Sequence, residues 1–189
     1  MASHPKTFLT PEEYLAAERK AETKSEYWNG ETFAMVGASR KHNLIATNLL
    51  RELSQQLKGR PCEIYPSDMR VKVPATGLYT YPDVIVVCGE PRFEDDNEDV
   101  LLNPTLLVEI TSPSTEHHDR GGKFQDYRSI ESFVEYLLVD EDGCWIEQFT
   151  KLEDGSWLLT NITAPEAIVQ LLSIPCQLAL REIYDKVPL

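Results

Sequence analysis

A chain of 189 residues fits one domain, 1–189, that buries roughly 70% of the surface its unfolded form would expose. Its formal net charge of -13 excludes a generic nucleic-acid coat, whose affinity comes from neutralising phosphates with Lys and Arg. No run reaches the roughly 18 apolar residues of a membrane span, and MASHPKTFLT (1–10) lacks the apolar core of a signal peptide, so a cytoplasmic protein with no membrane association is expected.

Thr10-Pro11-Glu12-Glu13 has the form of a capping box with proline at the first helical position, which predicts a helix to about Ala21. In YWNGETF (27–33), Asn29-Gly30 supplies the positive φ angles of a type I′ turn, so an N-terminal hairpin follows. Ser39 caps a second helix whose stripe is Leu44, Ile45, Leu49, Leu53 and Leu57, stopped by Gly59 and Pro61.

The pattern then turns to strands: EIYPSDMRVKVP (63–74), YTYPDVIVVC (79–88) and LLVEITS (106–112). The loop 90–99 holds six acids and reads as a solvated connection. Beyond SPST (112–115), a third helix over 119–130 places Asp119, Lys123 and Tyr127 on one face at spacings of four. Strands follow at EYLLVD (135–140) and CWIEQFT (144–150). Asp154-Gly155 turns the chain into SWLLTNI (156–162), and LALREIYDKV (178–187) closes it as a helix. The fold class is α/β or mixed α+β, with a mixed central sheet flanked by helices, an N-terminal hairpin and a C-terminal hairpin and helix.

Cys62, Cys88, Cys144 and Cys176 show no CxxC spacing and read as core thiols, with no disulfide staple needed. Charge is uneven. Residues 39–81 carry seven bases (Arg40, Lys41, Arg51, Lys58, Arg60, Arg70, Lys72) against three acids (Glu52, Glu63, Asp68), about +4, and the remainder carries -17. This stretch is either a patch facing a polyanion or the solvated face of a helix and its neighbouring strand.

The chemistry concentrates in two apolar strands that each contain one carboxylate, Asp83 and Glu109. An ionised carboxylate in such a place is strongly disfavoured without a compensating cation. Paired strands lie about 4.8 Å apart, so two acids on them can grip one hard divalent ion through oxygen, with the Ile110 carbonyl as a further ligand. His117-His118 superficially suggests a metal cluster, but adjacent residues of an extended segment point apart, and a loop is expected. Gly121-Gly122 lacks the phosphate-binding loop pattern.

These residues resemble the putative restriction endonucleases of the PD-(D/E)XK nuclease superfamily, formerly a domain of unknown function. The resemblance runs through YWNGETFAMVGASRKHN (27–43), PSDMRV (66–71), YPDVIVVC (81–88), VEITSPSTEHHDRGGKFQDYRSI (108–130) and EYLLVD (135–140). It implies a restriction-endonuclease-like core and metal-dependent hydrolysis of phosphodiester bonds in DNA, with Mg²⁺, or alternatively Mn²⁺, held by Asp83 and Glu109. Thr111 occupies the place where a lysine usually follows the second acid, and Lys123 matches the variation in which that lysine has moved to the adjacent helix. Lys123 would then orient the attacking water or stabilise the transition state. Tyr127, Asp119 and His42 are supporting candidates; Glu31 and Asp68 could join the metal shell. A charge of -13 favours a dimer that joins two local patches. The competing reading is a catalytically silent module of the same fold, binding a partner through aromatic surface around Tyr79, Tyr81 and the C-terminal hairpin.

Overall fold

The structure, a computed structural model, describes residues 8–112, 116 and 119–189. Residues 1–7, the Pro113-Ser114-Thr115 part of the predicted loop and the His117-His118 pair lie outside them. Helix α1 (Pro11–Glu18) begins with the expected capping box: Glu13 N donates to Thr10 Oγ1 at 3.2 Å, and Thr10 N donates to Glu13 Oε2 at 2.8 Å. It stops short of Ala21 because the Lys20 N–H reaches back only to the Ala17 carbonyl, tightening the last turn.

Strands β1 (Ser25–Trp28) and β2 (Glu31–Ala34) form the predicted hairpin. Asn29 and Gly30 both have positive φ, 49° and 84°, as a type I′ turn requires. Helix α2 (Arg40–Leu57) starts at Ser39, whose hydroxyl accepts the His42 N–H at 3.0 Å.

Two predicted strands each divide between two sheets. EIYPSDMRVKVP becomes β3 (Cys62–Pro66) and β4 (Arg70–Val73), and YTYPDVIVVC becomes β5 (Leu78–Thr80) and β6 (Val84–Cys88). Pro82 has no N–H to give a ladder, and the chain leaves one sheet for the other there. With β7 (Val100–Leu101), one sheet has the order β2-β1-β5-β4-β7. The other has the order β11-β10-β9-β8-β6-β3, built with β8 (Leu106–Thr111), β9 (Glu135–Asp140), β10 (Ile146–Lys151) and β11 (Trp157–Ile162). In it β8 and β9 run parallel and the other pairs antiparallel, a mixed central sheet.

Both faces of that sheet are covered, which explains why β6 and β8 read as continuous apolar runs. On one face Ile45, Leu49, Leu53 and Leu57 of α2 pack on Val84, Val86, Val108 and Val139. On the other, Ile85, Val87, Leu107 and Leu138 meet Phe124, Tyr127 and Phe133.

Four expectations change. The third helix is a π-helical turn, Asp119–Lys123, running into a single turn α3 (Phe124–Tyr127). LALREIYDKV starts as strand β13 (Gln177–Ala179), paired with β12 (Ile168–Gln170), so only α4 (Leu180–Ile183) is helical. Antiparallel pairing of β3 and β6 puts Cys62 opposite Cys88, and the two form a disulfide; Cys144 and Cys176 remain free thiols.

The acidic loop 90–99 is more than a solvated connection. Asp95 and Asp99 hold Arg19 at 2.8 Å each, Asp99 also pairs with Arg70, and Glu94 pairs with Lys72. Part of the local +4 is thereby neutralised within the fold. Among the described residues no helix is long and apolar enough to cross a membrane.

Candidate active site

The antiparallel register of β6 on β8 pairs Ile85 with Leu107 and Val84 with Val108. Continued by one residue, it sets Asp83 beside Glu109. Asp83 thus sits at the crossing between the sheets rather than inside a strand. Its Oδ2 accepts the Ile110 N–H at 2.8 Å, and its Oδ1 lies 3.1 Å from His42 Nε2 in the first turn of α2. The carboxylate thereby ties the start of α2 to β8. Burial alone would push the His42 imidazole down, but the hydrogen bond it donates to Asp83 and the charges of Asp83, Glu141 and Asp119 outweigh it and raise its pKa.

Glu109, in the middle of β8, is buried to 5% side-chain exposure. It accepts the Tyr127 hydroxyl at 2.9 Å and lies 3.3 Å from Lys123 Nζ. Burial, with Asp119, Asp83 and Glu26 close by, lifts its pKa well above the carboxylate range against the pull of Lys123. The ammonium of Lys123 is equally enclosed. It meets Glu26 Oε1 at 3.0 Å, Glu109 Oε1 at 3.3 Å and Asp119 Oδ1 at 3.3 Å. Burial by itself would lower its pKa; the three carboxylates win, and Lys123 stays charged.

The π-helical turn is what aims these groups. Asp119 and Lys123 bracket it, and Tyr127 follows in α3, so the three residues predicted to share a face converge on the neighbourhood of Glu109. Extra-wide helical turns of this kind recur at functional sites. The Asp119 carbonyl accepts the Tyr136 hydroxyl from β9 at 3.3 Å, fixing the turn to the sheet.

Asp83, Glu109, Lys123, Tyr127, Asp119 and His42 are therefore gathered in one place. Glu31 stands on β2 opposite Trp28, at the turn end of the hairpin. Asp68 instead forms an ion pair with Lys24 at 3.0 Å and is 85% exposed. Tyr79 and Tyr81, expected from the sequence to form a partner-binding surface, are buried, with 0% and 5% exposure.

Glu26 escapes a reading of the sequence. It arrives on β1 from the other sheet, and the Thr80 hydroxyl of β5 donates to it while standing 3.5 Å from the Tyr127 hydroxyl. A lone acid in the aromatic strand SEYW is its one signal, but only the pairing of β1 with β5 at Tyr27 and Tyr79 shows where it points.

Four carboxylates (Glu26, Asp83, Glu109, Asp119) surround one ammonium and one imidazole, an excess of negative charge with hard oxygen donors. Thr111, on the same face of β8 as Glu109, has a buried hydroxyl with no hydrogen-bond partner, as does His42 Nδ1. This donor set fits a hard divalent cation. Among the described residues no three His, Cys, Asp or Glu side chains already form a cage for an ion.

Three comparisons with known proteins concern the chain as a whole. The Uma2 family model, described as "Putative restriction endonuclease", matches residues 11–181. Two uncharacterized proteins of Synechocystis sp. (strain ATCC 27184 / PCC 6803 / Kazusa) are 39% identical to the chain. One, sll1609, aligns over 162 residues, 86% of this chain and 92% of its own length. The other, slr1290, aligns over 182 residues, 96% of this chain and 94% of its own length. The crystal structure of a putative nuclease belonging to DUF820 from Anabaena variabilis ATCC 29413 superposes with a TM-score of 0.77, over 95% of this chain and 99% of that one, at 18% identity. At that identity the likeness concerns the fold, which is restriction-endonuclease-like.

Proposed function

The chain belongs to the Uma2 family, described as "Putative restriction endonuclease", and from that premise we propose that it is a Mg²⁺-dependent endonuclease of PD-(D/E)XK type that hydrolyses phosphodiester bonds in DNA. The observation that carries this reading is the meeting of Lys123 with Glu109 at 3.3 Å, although Thr111 fills the usual lysine position. An ammonium supplied from the π-helical turn reaches the second acid as well as one two residues along the strand would.

Asp83, Glu109 and the Ile110 carbonyl are the groups that would hold Mg²⁺, or Mn²⁺. When bound, the ion supplies Lewis acidity toward the phosphate and charge neutralisation at the reacting centre. Lys123 orients the attacking water and offsets negative charge developing on the phosphate oxygens. Glu26 and Asp119 hold its ammonium in place. Tyr127 fixes one oxygen of Glu109 by donating to it, and His42 fixes Asp83. The reading extends to a cytoplasmic protein, with residues 1–189 as one nuclease domain, that works as a dimer to concentrate attraction for DNA on a chain of charge -13.

The test is a plasmid-nicking assay with Mg²⁺ or Mn²⁺ on the wild type, Asp83→Ala and Lys123→Ala. Nicking by the wild type that both substitutions abolish is the expected result. Nicking that survives both would overturn the site. A folded wild type that neither nicks DNA nor binds a divalent ion in calorimetry would favour the silent module.

A further inference from the structure

Strand β8 reads Leu106, Leu107, Val108, Glu109, Ile110, Thr111, and all six residues are buried. Beside Glu109 it holds one other polar side chain, Thr111, at 0% exposure. Valine has the same branched shape and suits a strand as well, so packing alone does not call for the hydroxyl. Burying a hydroxyl that bonds to nothing is unfavourable. Four buried side-chain atoms among the described residues lack a hydrogen-bond partner: His42 Nδ1, Arg70 Nη1, Glu94 Oε2 and Thr111 Oγ1. His42, Arg70 and Glu94 are each held through another atom, by Asp83, Asp99 and Lys72. Thr111 has a single polar side-chain group, and that group is the unpaired one.

Side chains two apart on a strand share a face, so the Thr111 hydroxyl is on the side of β8 where Glu109 meets Lys123 and Tyr127. It directly follows Ile110, whose N–H holds Asp83. The main chain fixes this position without help from the side chain. The Thr111 carbonyl accepts the Glu141 N–H at 3.0 Å, and Glu141 in turn accepts the Ser39 hydroxyl in front of α2 at 2.6 Å.

Lys123 alone does not fix a water. An ammonium has three N–H groups, and carboxylate oxygens of Glu26, Glu109 and Asp119 stand 3.0, 3.3 and 3.3 Å from its Nζ. Its charge draws the oxygen of a water but leaves the two protons undirected. Glu109 Oε1 already takes two donors, whereas the Thr111 hydroxyl takes none.

We infer that the Thr111 hydroxyl accepts a hydrogen bond from the attacking water and fixes the direction in which the water oxygen faces phosphorus. This rests on the nuclease reading above and deepens it. In the hydrolysis the water oxygen bonds to phosphorus and the bond from phosphorus to the departing sugar oxygen breaks. One water proton leaves to solvent, the departing oxygen takes one from solvent, and Thr111 keeps its own.

The experiment compares the wild type, Thr111→Val and Thr111→Ser by urea denaturation in EDTA, by calorimetric titration with Mg²⁺, and by steady-state plasmid nicking. Thr111→Val should unfold at the same urea concentration as the wild type or a higher one, because a methyl replaces an unpaired buried hydroxyl. Its Mg²⁺ affinity should stay within about twofold. Its kcat should fall at least about tenfold with KM within about twofold, since the interaction lost is one made in the transition state. Thr111→Ser should recover most of that kcat, although its missing methyl lowers the urea midpoint. Activity and stability then move in opposite directions across the two variants, which a packing role does not produce.

A midpoint of Thr111→Val clearly below the wild type, or a variant that does not fold, would show that the hydroxyl is bonded within the fold and overturn the inference. So would an unchanged kcat, a change confined to KM, a serine variant as slow as the valine one, or Mg²⁺ binding lost with the hydroxyl. Nicking by the wild type separates this outcome from that of the nuclease reading. Equal nicking by the wild type and Thr111→Val removes only the role of Thr111. A wild type that nicks no DNA removes the nuclease reading, and the inference with it.

Discussion

Two clusters in this protein set a cation against several carboxylates, one around Lys123 and one around Arg19, and they differ most consequentially in burial. Lys123 meets Glu26, Glu109 and Asp119 with 9% of its own side chain exposed and 14%, 5% and 6% of theirs. Arg19 meets Asp95 and Asp99 with 27% exposure against 36% and 29%. In the first, solvent cannot replace a lost partner. In the second it can, so the first is the candidate site and the second a clasp that keeps the acidic loop on α1.

The sharpest way to break that contrast is Lys123→Ala. It leaves three enclosed carboxylates without their ammonium, and removing one partner from a buried ion pair costs about 3–5 kcal/mol. Urea denaturation should show a loss of that size, and nicking should disappear with it. A loss under about 1 kcal/mol, typical of exposed pairs, would mean that the cluster is far better hydrated than its geometry implies.

Magnesium comes next. A cation bound to the native state alone, at a hundred times its dissociation constant, adds about 2.7 kcal/mol. The unfolding midpoint of the wild type should rise accordingly with Mg²⁺ and fall back with EDTA, while Asp83→Ala should respond to neither. A wild-type midpoint indifferent to Mg²⁺ would leave the carboxylate excess without the ion proposed for it.

Tyr127→Phe removes one of two donors on Glu109 Oε1, together with the 3.5 Å approach to the Thr80 hydroxyl. Lys123 stays on that oxygen, so the loss is that of one hydrogen bond, about 0.5–1.5 kcal/mol, and the midpoint should fall by less than in Lys123→Ala. The same change frees Glu109 to turn, and nicking should slow without vanishing. Unchanged stability would show that Glu109 replaces the lost bond locally.

The buried cluster is partly legible in the amino-acid sequence. Asp83 and Glu109 stand out because a charge in an apolar run needs compensation, and Asp119, Lys123 and Tyr127 because their spacing of four implies one face. The hairpin and both capped helices are readable from turn and capping chemistry, which act over three or four residues. What escapes depends on pairings between distant segments. Glu26 reaches Lys123 only because β1 pairs with β5, and Cys62 meets Cys88 only because β3 pairs with β6. Likewise Leu178 has a helical pattern around it, and its pairing with Val169 makes it a strand residue instead. The Pro82 step between sheets is marked by its missing N–H, yet the apolar β-branched run on its far side makes the whole segment read as one continuous strand.

The exposed clasp gives the smallest effect and the clearest sign. Asp99 has its pKa lowered, first by the hydrogen bond from Arg19 and then by the charges of Arg70 and Arg19, against burial. A carboxyl whose folded pKa is depressed contributes stability that is full above its unfolded value and fades as pH falls through the folded one. The Arg19–Asp99 pair is worth at most about 1 kcal/mol at this exposure. Arg19→Ala should therefore lower the urea midpoint slightly at neutral pH, and the gap to the wild type should close in acid, once Asp99 is protonated in both proteins. Salt should close it too, because solvent-exposed charges are screened. A gap that persists in acid would show that the Arg19 stem packs on α1 and the loop, so that the clasp holds by contact rather than by charge.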